Sequence, residues 1–196
     1  MTTAQLVLLT LVFGLPWSSH YEWYLHKYYL HRPFKFFPGW FEDHTRIHHV
    51  KFGFNETYHL QHKDDEHIID MRKWAPYVIA GGCIPYVVVG LSLYFFFDFQ
   101  QWWIIIATGT CLSVAYYFAY EELHKCMHLP KERRVEMSQL FRRLNGHHLI
   151  HHRHMKSNFN VVLPLADWYM RTLLLRATVR FKQPVGPAVP NVQPLD

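Results

Sequence analysis

Ten of the sixteen histidines in this chain fall in four short clusters whose spacings suit metal ligation. YLHKYYLHR carries His26 and His31, DHTRIHH carries His44, His48 and His49, ELHKCMH carries His124 and His128, and NGHHLIHHRH carries His148, His151 and His152. A neutral imidazole nitrogen binds iron, zinc, copper or nickel, and a helix delivers such rings in pairs one turn apart. His44 with His48, and His124 with His128, sit four positions apart and share a helix face. His26 and His31 are five apart, about 140° out of phase on a regular α-helix, so a helix end or a π-bulge is predicted there. In the fourth cluster His148, His151 and His152 form one compact face able to meet a single centre. His147 with His151 makes a competing pair of the same spacing, so the register stays open; in the more compact set, His147 and His154 are left to outer positions.

Ten imidazoles exceed one ion, whereas two octahedral ions offer about twelve positions and leave room for oxygen or a bridging group. Iron is the expected metal, because a redox-active pair beside lipid can activate dioxygen and attack an unactivated C–H bond, which zinc cannot; ligand type alone admits zinc. The rings must be unprotonated to bind, so metal release is expected as the pH falls through the imidazole range near about 6.5. His20, His59, His62 and His67 read as solvated, the last three within the polar run YHLQHKDDEH, with an outer-shell role open to them. Cys126 lies two positions from each histidine of its pair and points away into packing. Cys83, Cys111 and Cys126 show no paired spacing, which fits a reducing compartment.

The elements that must carry these clusters follow from hydropathy and charge. Half of the 196 residues are hydrophobic and 17% aromatic, yet the mean hydropathy is near neutral, so very apolar segments alternate with polar ones. Met1 to Tyr21, Ala75 to Phe97 and Phe99 to Tyr120 lack any charged side chain, with Asp98 between the last two. At about 1.5 Å per residue, the latter two each cross a hydrocarbon core of about 30 Å as a helical hairpin. The first either spans or dips into the interface, since its solid apolar block runs only from Leu6 to Trp17; it has no basic start or cleavage site and reads as a retained anchor. All 20 Lys and Arg fall into two regions, eight from Lys27 to Lys73 and twelve from Lys125 onward, with none in the Asp98 turn. The positive-inside rule therefore puts every histidine cluster on the cytoplasmic side, as convergence on one site requires. FKFFPGW at 34–40 reads as an aromatic interfacial turn, Val161 to Arg180 as an interfacial amphipathic helix, and the Pro-rich end as extended or disordered. The fold class is all-α, with multi-pass membrane helices under a cytoplasmic His-rich helical cap. A single domain covers 1–182, with 183–196 as tail.

From His26 to His152 the four clusters, their order and the hairpin between the second and third resemble the fatty acid hydroxylase superfamily, which includes fatty-acyl hydroxylases, sterol desaturases and methyl oxidases, and short carotenoid hydroxylases. The resemblance implies a di-iron site held by all ten of these histidines. It also implies dioxygen as co-substrate and electrons from a separate haem or iron–sulfur protein. Glu121, three residues before His124, looks like the acidic position that often precedes the family's third box, which implies a role behind the ligands. The second box departs from the commoner pattern, with three residues instead of two before its His-His pair.

The expected protein is a membrane-bound di-iron oxygenase that hydroxylates or desaturates a lipid, a fatty-acyl chain ahead of a sterol or carotenoid. It would sit in the bacterial inner membrane or the endoplasmic reticulum. The alternative is a His-rich membrane protein that binds or transports metal, against which stands the lack of acid or histidine within the two central spans. Nucleic acid is excluded as a partner, since the basic residues form no stripe with a recognition motif. A haem cytochrome would need axial histidines within Ala75 to Tyr120, and a zinc peptidase a His-Glu-x-x-His sequence; neither is present.

Overall fold

The computed structural model describes residues 1–175, whose regular elements are all helices, with no strand among them. Arg176 and the Pro-rich 183–196 lie outside the described residues. Helix α1 (Thr3–Leu25) starts from a capping box in which the Thr2 side chain accepts from the Gln5 amide and the Gln5 side chain from that of Thr2. It runs directly into a π-helical turn, His26–Leu30. Helix α2 (Pro38–Phe41) starts on Pro38, runs into a second π-helical turn, Glu42–His48, and ends in the short α3 (His49–Lys51).

Two long helices follow, α4 (Ala75–Phe97) and α5 (Trp102–His128), and both are long and apolar enough to cross a membrane. Between them Asp98 takes a left-handed conformation (φ 51°) that reverses the chain, and its carboxylate accepts from the Gln100 amide at 2.6 Å. Helix α5 continues past the uncharged stretch, so the third histidine cluster is its last two turns and Glu121 lies on the same rod. Helix α6 (Gln139–Arg153) is capped by Ser138, whose hydroxyl accepts from the Phe141 amide at 3.1 Å. The chain closes with the five-residue α7 (Leu165–Tyr169).

Helix α5 is the centre of the bundle, packing against both α1 and α4. Small residues permit the close approach: a Cβ on Gly109 would run into the Tyr86 ring, and one on Gly90 would meet the Ile106 side chain at 2.8 Å. The C-terminal end of α1, the start of α4 and the C-terminal end of α5 lie at one end, where the π turns and α6 cover them. Away from these contacts the helices present large apolar side chains outward, among them Phe13 (72% exposed), Val88 (57%) and Phe96 (79%).

An amphipathic helix was expected from Val161 to Arg180. Instead, residues 157–164 run without helix and only α7 is helical within the described part. The backbone there is taken up by side chains of other segments: Glu22 Oε1 accepts from the Val161 amide at 2.5 Å, and Asp167 accepts from the Phe159 and Asn160 amides at 2.9 and 2.8 Å. These bonds compete with the helical ones and win because the acceptors are buried carboxylates.

Gly109→Ala should destabilise the helix bundle by about 1–3 kcal/mol, as overpacking of a tight contact does. Thermal unfolding of the purified protein in detergent would register this as a lowered midpoint, and an unchanged midpoint would mean the Tyr86 contact does not limit the packing.

Candidate metal centre

All ten cluster histidines come together at one end of the bundle, and they divide into two groups of five. His26, His31, His44, His49 and His151 form one group, here called site A; His48, His124, His128, His148 and His152 form the other, site B. Within each group one nitrogen per ring lies within 4.8 Å of those of the other four. The groups abut, with the rings of His49 and His152 only 4.3 Å apart between centroids.

The division follows from helix type. The π turns hydrogen-bond five residues apart, from the His31 amide to the His26 carbonyl and from the His49 amide to the His44 carbonyl, so residues five apart stack. His26 with His31, and His44 with His49, therefore both turn into site A. On the α-helices the four-apart pairs stack, and His124 with His128, and His148 with His152, turn into site B. The two remaining rings cross over: His48 from the π segment reaches site B, and His151 from α6 reaches site A.

Two expectations are corrected here. His44 and His48 stack ring on ring at 5.2 Å but join different groups, because the π turn brings His49 and not His48 round to the site of His44, and His148, His151 and His152 divide between the two groups instead of meeting at one. The open register of the fourth cluster resolves as His148. His147 bonds through Nε2 to the buried carboxylate of Asp167 at 3.1 Å and belongs to neither group. His20 bonds the Tyr169 hydroxyl, His67 the Asp64 carbonyl, and neither joins a group, nor do His59, His62 and His154. Cys126 packs into an apolar cluster with Met127 and Phe141.

Ring orientation is set from behind. The Nδ1–H groups of His26, His128, His151 and His152 donate to the backbone carbonyls of Phe159, Tyr58, Ser157 and Phe52. The Thr45 hydroxyl gives its hydrogen to the Leu30 carbonyl at 2.6 Å, so its oxygen accepts from His31 Nδ1–H at 3.2 Å. In these five rings the proton is committed to Nδ1, and the bare Nε2 lone pair faces inward.

Those lone pairs converge on one another. In site A, Nε2 of His44 lies 2.8 Å from that of His26 and 3.1 Å from that of His49, and Nε2 of His31 lies 3.0 Å from that of His151. In site B, Nε2 of His148 lies 3.1 Å from that of His128 and 3.0 Å from that of His152. Nε2 of His31 and Nε2 of His151 are both unprotonated and cannot bond each other, and His124 has no partner at either nitrogen. A cation at the centre of each group would take one inward nitrogen from every ring. With a metal–nitrogen distance of about 2.1 Å, adjacent vertices of an octahedron are about 3.0 Å apart, close to the spacings found, and those of a tetrahedron about 3.4 Å. The donor set fits two six-coordinate cations, each with five imidazoles and one further position.

Burial also keeps the rings neutral. Desolvation, then the neighbouring imidazoles, hold His26, His44, His48, His49, His148 and His152 well below the usual histidine range. Burial pushes His31 down to about 2 and His151 to about 4. Proton competition for the ligands therefore moves well below the pH of about 6.5 expected of free imidazole.

Glu121 takes no part in orienting a ligand: one oxygen accepts from the Met71 amide at 3.3 Å, and the carboxyl's other neighbour is the Tyr117 hydroxyl. The residues that sequence reasoning missed are Asn158, Asn160 and Asp167, all fully buried. Asn160 bonds the Ser19 carbonyl at 2.8 Å and Glu22 at 3.0 Å, Asn158 bonds the His147 carbonyl at 3.1 Å, and together they fix the carbonyls that hold His26 and His151. The signal was an Asn-x-Asn pair followed by a lone Asp in an apolar run.

Metal content separates the two sites. His151→Ala and His152→Ala should each leave about one ion where the parent holds about two, and His147→Ala should leave about two; one combined loss with either variant, or a loss with His147→Ala, would contradict the grouping. Stability of the metal-free protein should fall with acid. The rings stay neutral when folded but take protons when unfolded below about pH 6.5, so stability is complete above that value and declines as the pH drops towards the folded value of His151, about 4. Denaturation midpoints of stripped protein at about pH 7.5 and about pH 5 would agree only if the rings were solvated.

No family model, curated protein or solved structure matches this chain, and the two groups of five imidazoles are what characterises it.

Proposed function

We propose that the protein is an integral membrane oxygenase of the fatty acid hydroxylase type, in which sites A and B hold two irons. The observation that carries this reading is a cavity between α1, α4 and α5, lined by Leu25, Leu30, Trp40, Val78 and other apolar side chains, and walled at one end by His26 of site A. An apolar chain lying among the helices would thus end at a metal ligand, so the bilayer supplies both solubility and positioning.

A membrane location is supported by the two apolar helices and by the outward apolar faces of α1, α4 and α5. With the Asp98 turn at the far end and the Lys and Arg among the described residues at the histidine end, the positive-inside rule makes the histidine face cytoplasmic. The bilayer would be the bacterial inner membrane or the endoplasmic reticulum.

A di-iron centre supplies dioxygen activation: the substrate C–H, dioxygen, two electrons and two protons give the C–OH product and water, with the electrons from a separate haem or iron–sulfur protein. The chain's own residues do the rest. Trp40, Met71 and Trp74 cover the cavity near the site and exclude water. The carbonyls of Phe159 and Ser157 keep the His26 and His151 rings unprotonated at Nε2 and so able to bind. Desaturation begins with the same hydrogen abstraction, and a fatty-acyl chain is the proposed substrate ahead of a sterol or carotenoid.

Cells expressing the protein under isotopically labelled dioxygen should accumulate a lipid that carries one labelled oxygen, absent with His151→Ala. A lipid profile identical with and without the protein, in cells that load it with iron, would overturn the oxygenase reading and leave metal handling in its place.

A further inference from the structure

The cavity has a polar end that an unadorned hydrocarbon would leave unsatisfied. Glu121, Tyr117 and Tyr120 line it, and one oxygen of Glu121 and both hydroxyls are shielded from solvent. Tyr117 and Glu121, one helical turn apart, pair with each other, and the Tyr120 hydroxyl has no partner. Tyr117 as a whole is only 5% exposed. Buried polar atoms are nearly always fully paired, so an orphan hydroxyl beside a carboxyl–phenol pair with lone pairs to spare marks the place of a ligand group.

The cavity's other acid gives the contrast. Glu22 is fully used, accepting from the Tyr116 hydroxyl at 2.7 Å, the Asn160 side chain at 3.0 Å and the Val161 and Val162 amides at 2.5 and 3.3 Å. It joins α1 to the C-terminal segment and has nothing left to offer a ligand. Glu121 spends one oxygen on Met71 and shares the other only with Tyr117, so it keeps lone pairs for a ligand.

We infer that this end of the cavity recognises a lipid hydroxyl, which donates to Glu121 and accepts from the Tyr117 or Tyr120 hydroxyl. A hydroxyl has one hydrogen to give and lone pairs to receive, which matches a carboxylate flanked by phenols. Two carboxylates cannot both stay charged in one buried place, so a free fatty acid would bind there only by taking up a proton, and an ether or hydrocarbon has no hydrogen to give. The Tyr120 ring also stacks on that of His124 at 5.6 Å, so the headgroup end lies one ring away from site B while His26 meets the same cavity from site A. The substrate class of the proposed oxygenase is then a long-chain alcohol or a lipid carrying one. This inference rests on that reading for its catalytic meaning, but not for its test.

Binding can be measured without dioxygen or an electron donor, using radiolabelled hexadecanol on the purified, metal-loaded protein in uncharged detergent. Unlabelled hexadecanol should displace the probe at least about tenfold better than its methyl ether or palmitate, as expected where a site pairs a ligand hydroxyl. Glu121→Gln, which keeps an oxygen for the Met71 amide, should abolish the discrimination against palmitate, and Tyr117→Phe should weaken the alcohol severalfold with the ether unchanged. Metal content equal to the parent's shows that each variant is folded; if one is not, the other variant and the parent's own ligand ranking decide. Equal displacement by alcohol, ether and palmitate, or unchanged ranking in a folded variant, overturns the inference. Alcohol selectivity without any oxidised lipid in cells would uphold it and count against the oxygenase reading instead.

Discussion

The arrangement depends first on the second nitrogen of five imidazoles. A histidine can ligate only through a bare lone pair, and in a buried site an acceptor behind the ring holds the tautomer that leaves one. Here the five rings give their proton to an oxygen behind them, four to backbone carbonyls and His31 to the Thr45 hydroxyl. The carbonyls belong to Phe52, Ser157 and Phe159 in irregular stretches and to Tyr58 at the end of a short 3-10 turn, where the backbone carbonyl is not already paired within a helix. The loops around the histidine cap are therefore not mere connections; their path sets the direction in which the lone pairs face.

That path needs an anchor of its own. Asp167 collects the Phe159 and Asn160 amides, the Thr172 hydroxyl and the His147 ring, and burial's upward push on its carboxyl is outweighed by those bonds, which hold it below the ordinary range. Glu22 and Ser19 reach from α1 to the same stretch, with the Ser19 hydroxyl donating to the Leu163 carbonyl at 2.6 Å. The C-terminal segment is thus tied to the first helix and to α6 at once. Sites A and B inherit their geometry from that three-way junction as much as from the helices that carry the ligands.

Much of this was legible in the residues. Ala75–Phe97 is a helix over the very stretch that lacks charge, the five-residue gap between His26 and His31 does fall in a π turn, and the ten histidines singled out by spacing are the ten that converge. What could not be read was how they sort. The pairing of His44 with His49 depends on a second π turn, which the Thr45 bond to the Leu30 carbonyl of the first stabilises, and a contact between segments has no signature within either one. The fate of His147 was hidden for the same reason, since its partner Asp167 lies twenty positions away. Val161 to Arg180 has helix-like composition, but Glu22 claims the Val161 and Val162 amides, and Asn160 and Asn158 those of Asp167 and Leu174.

The two triplets show one design at two lengths. In both, the first and last histidines stay together and the middle one crosses to the neighbouring site; His148, His151 and His152 do so on an α-helix, and His44, His48 and His49 do so with one more residue between. The wider turn takes up that residue as slack. Tolerance to changes of length is consequently lopsided: Arg46 or Ile47, both exposed, could be deleted and the turn would tighten to the α form with the same sorting of ligands. A further inserted residue would find no broader helix to absorb it, and would send His49 out of reach of its partner.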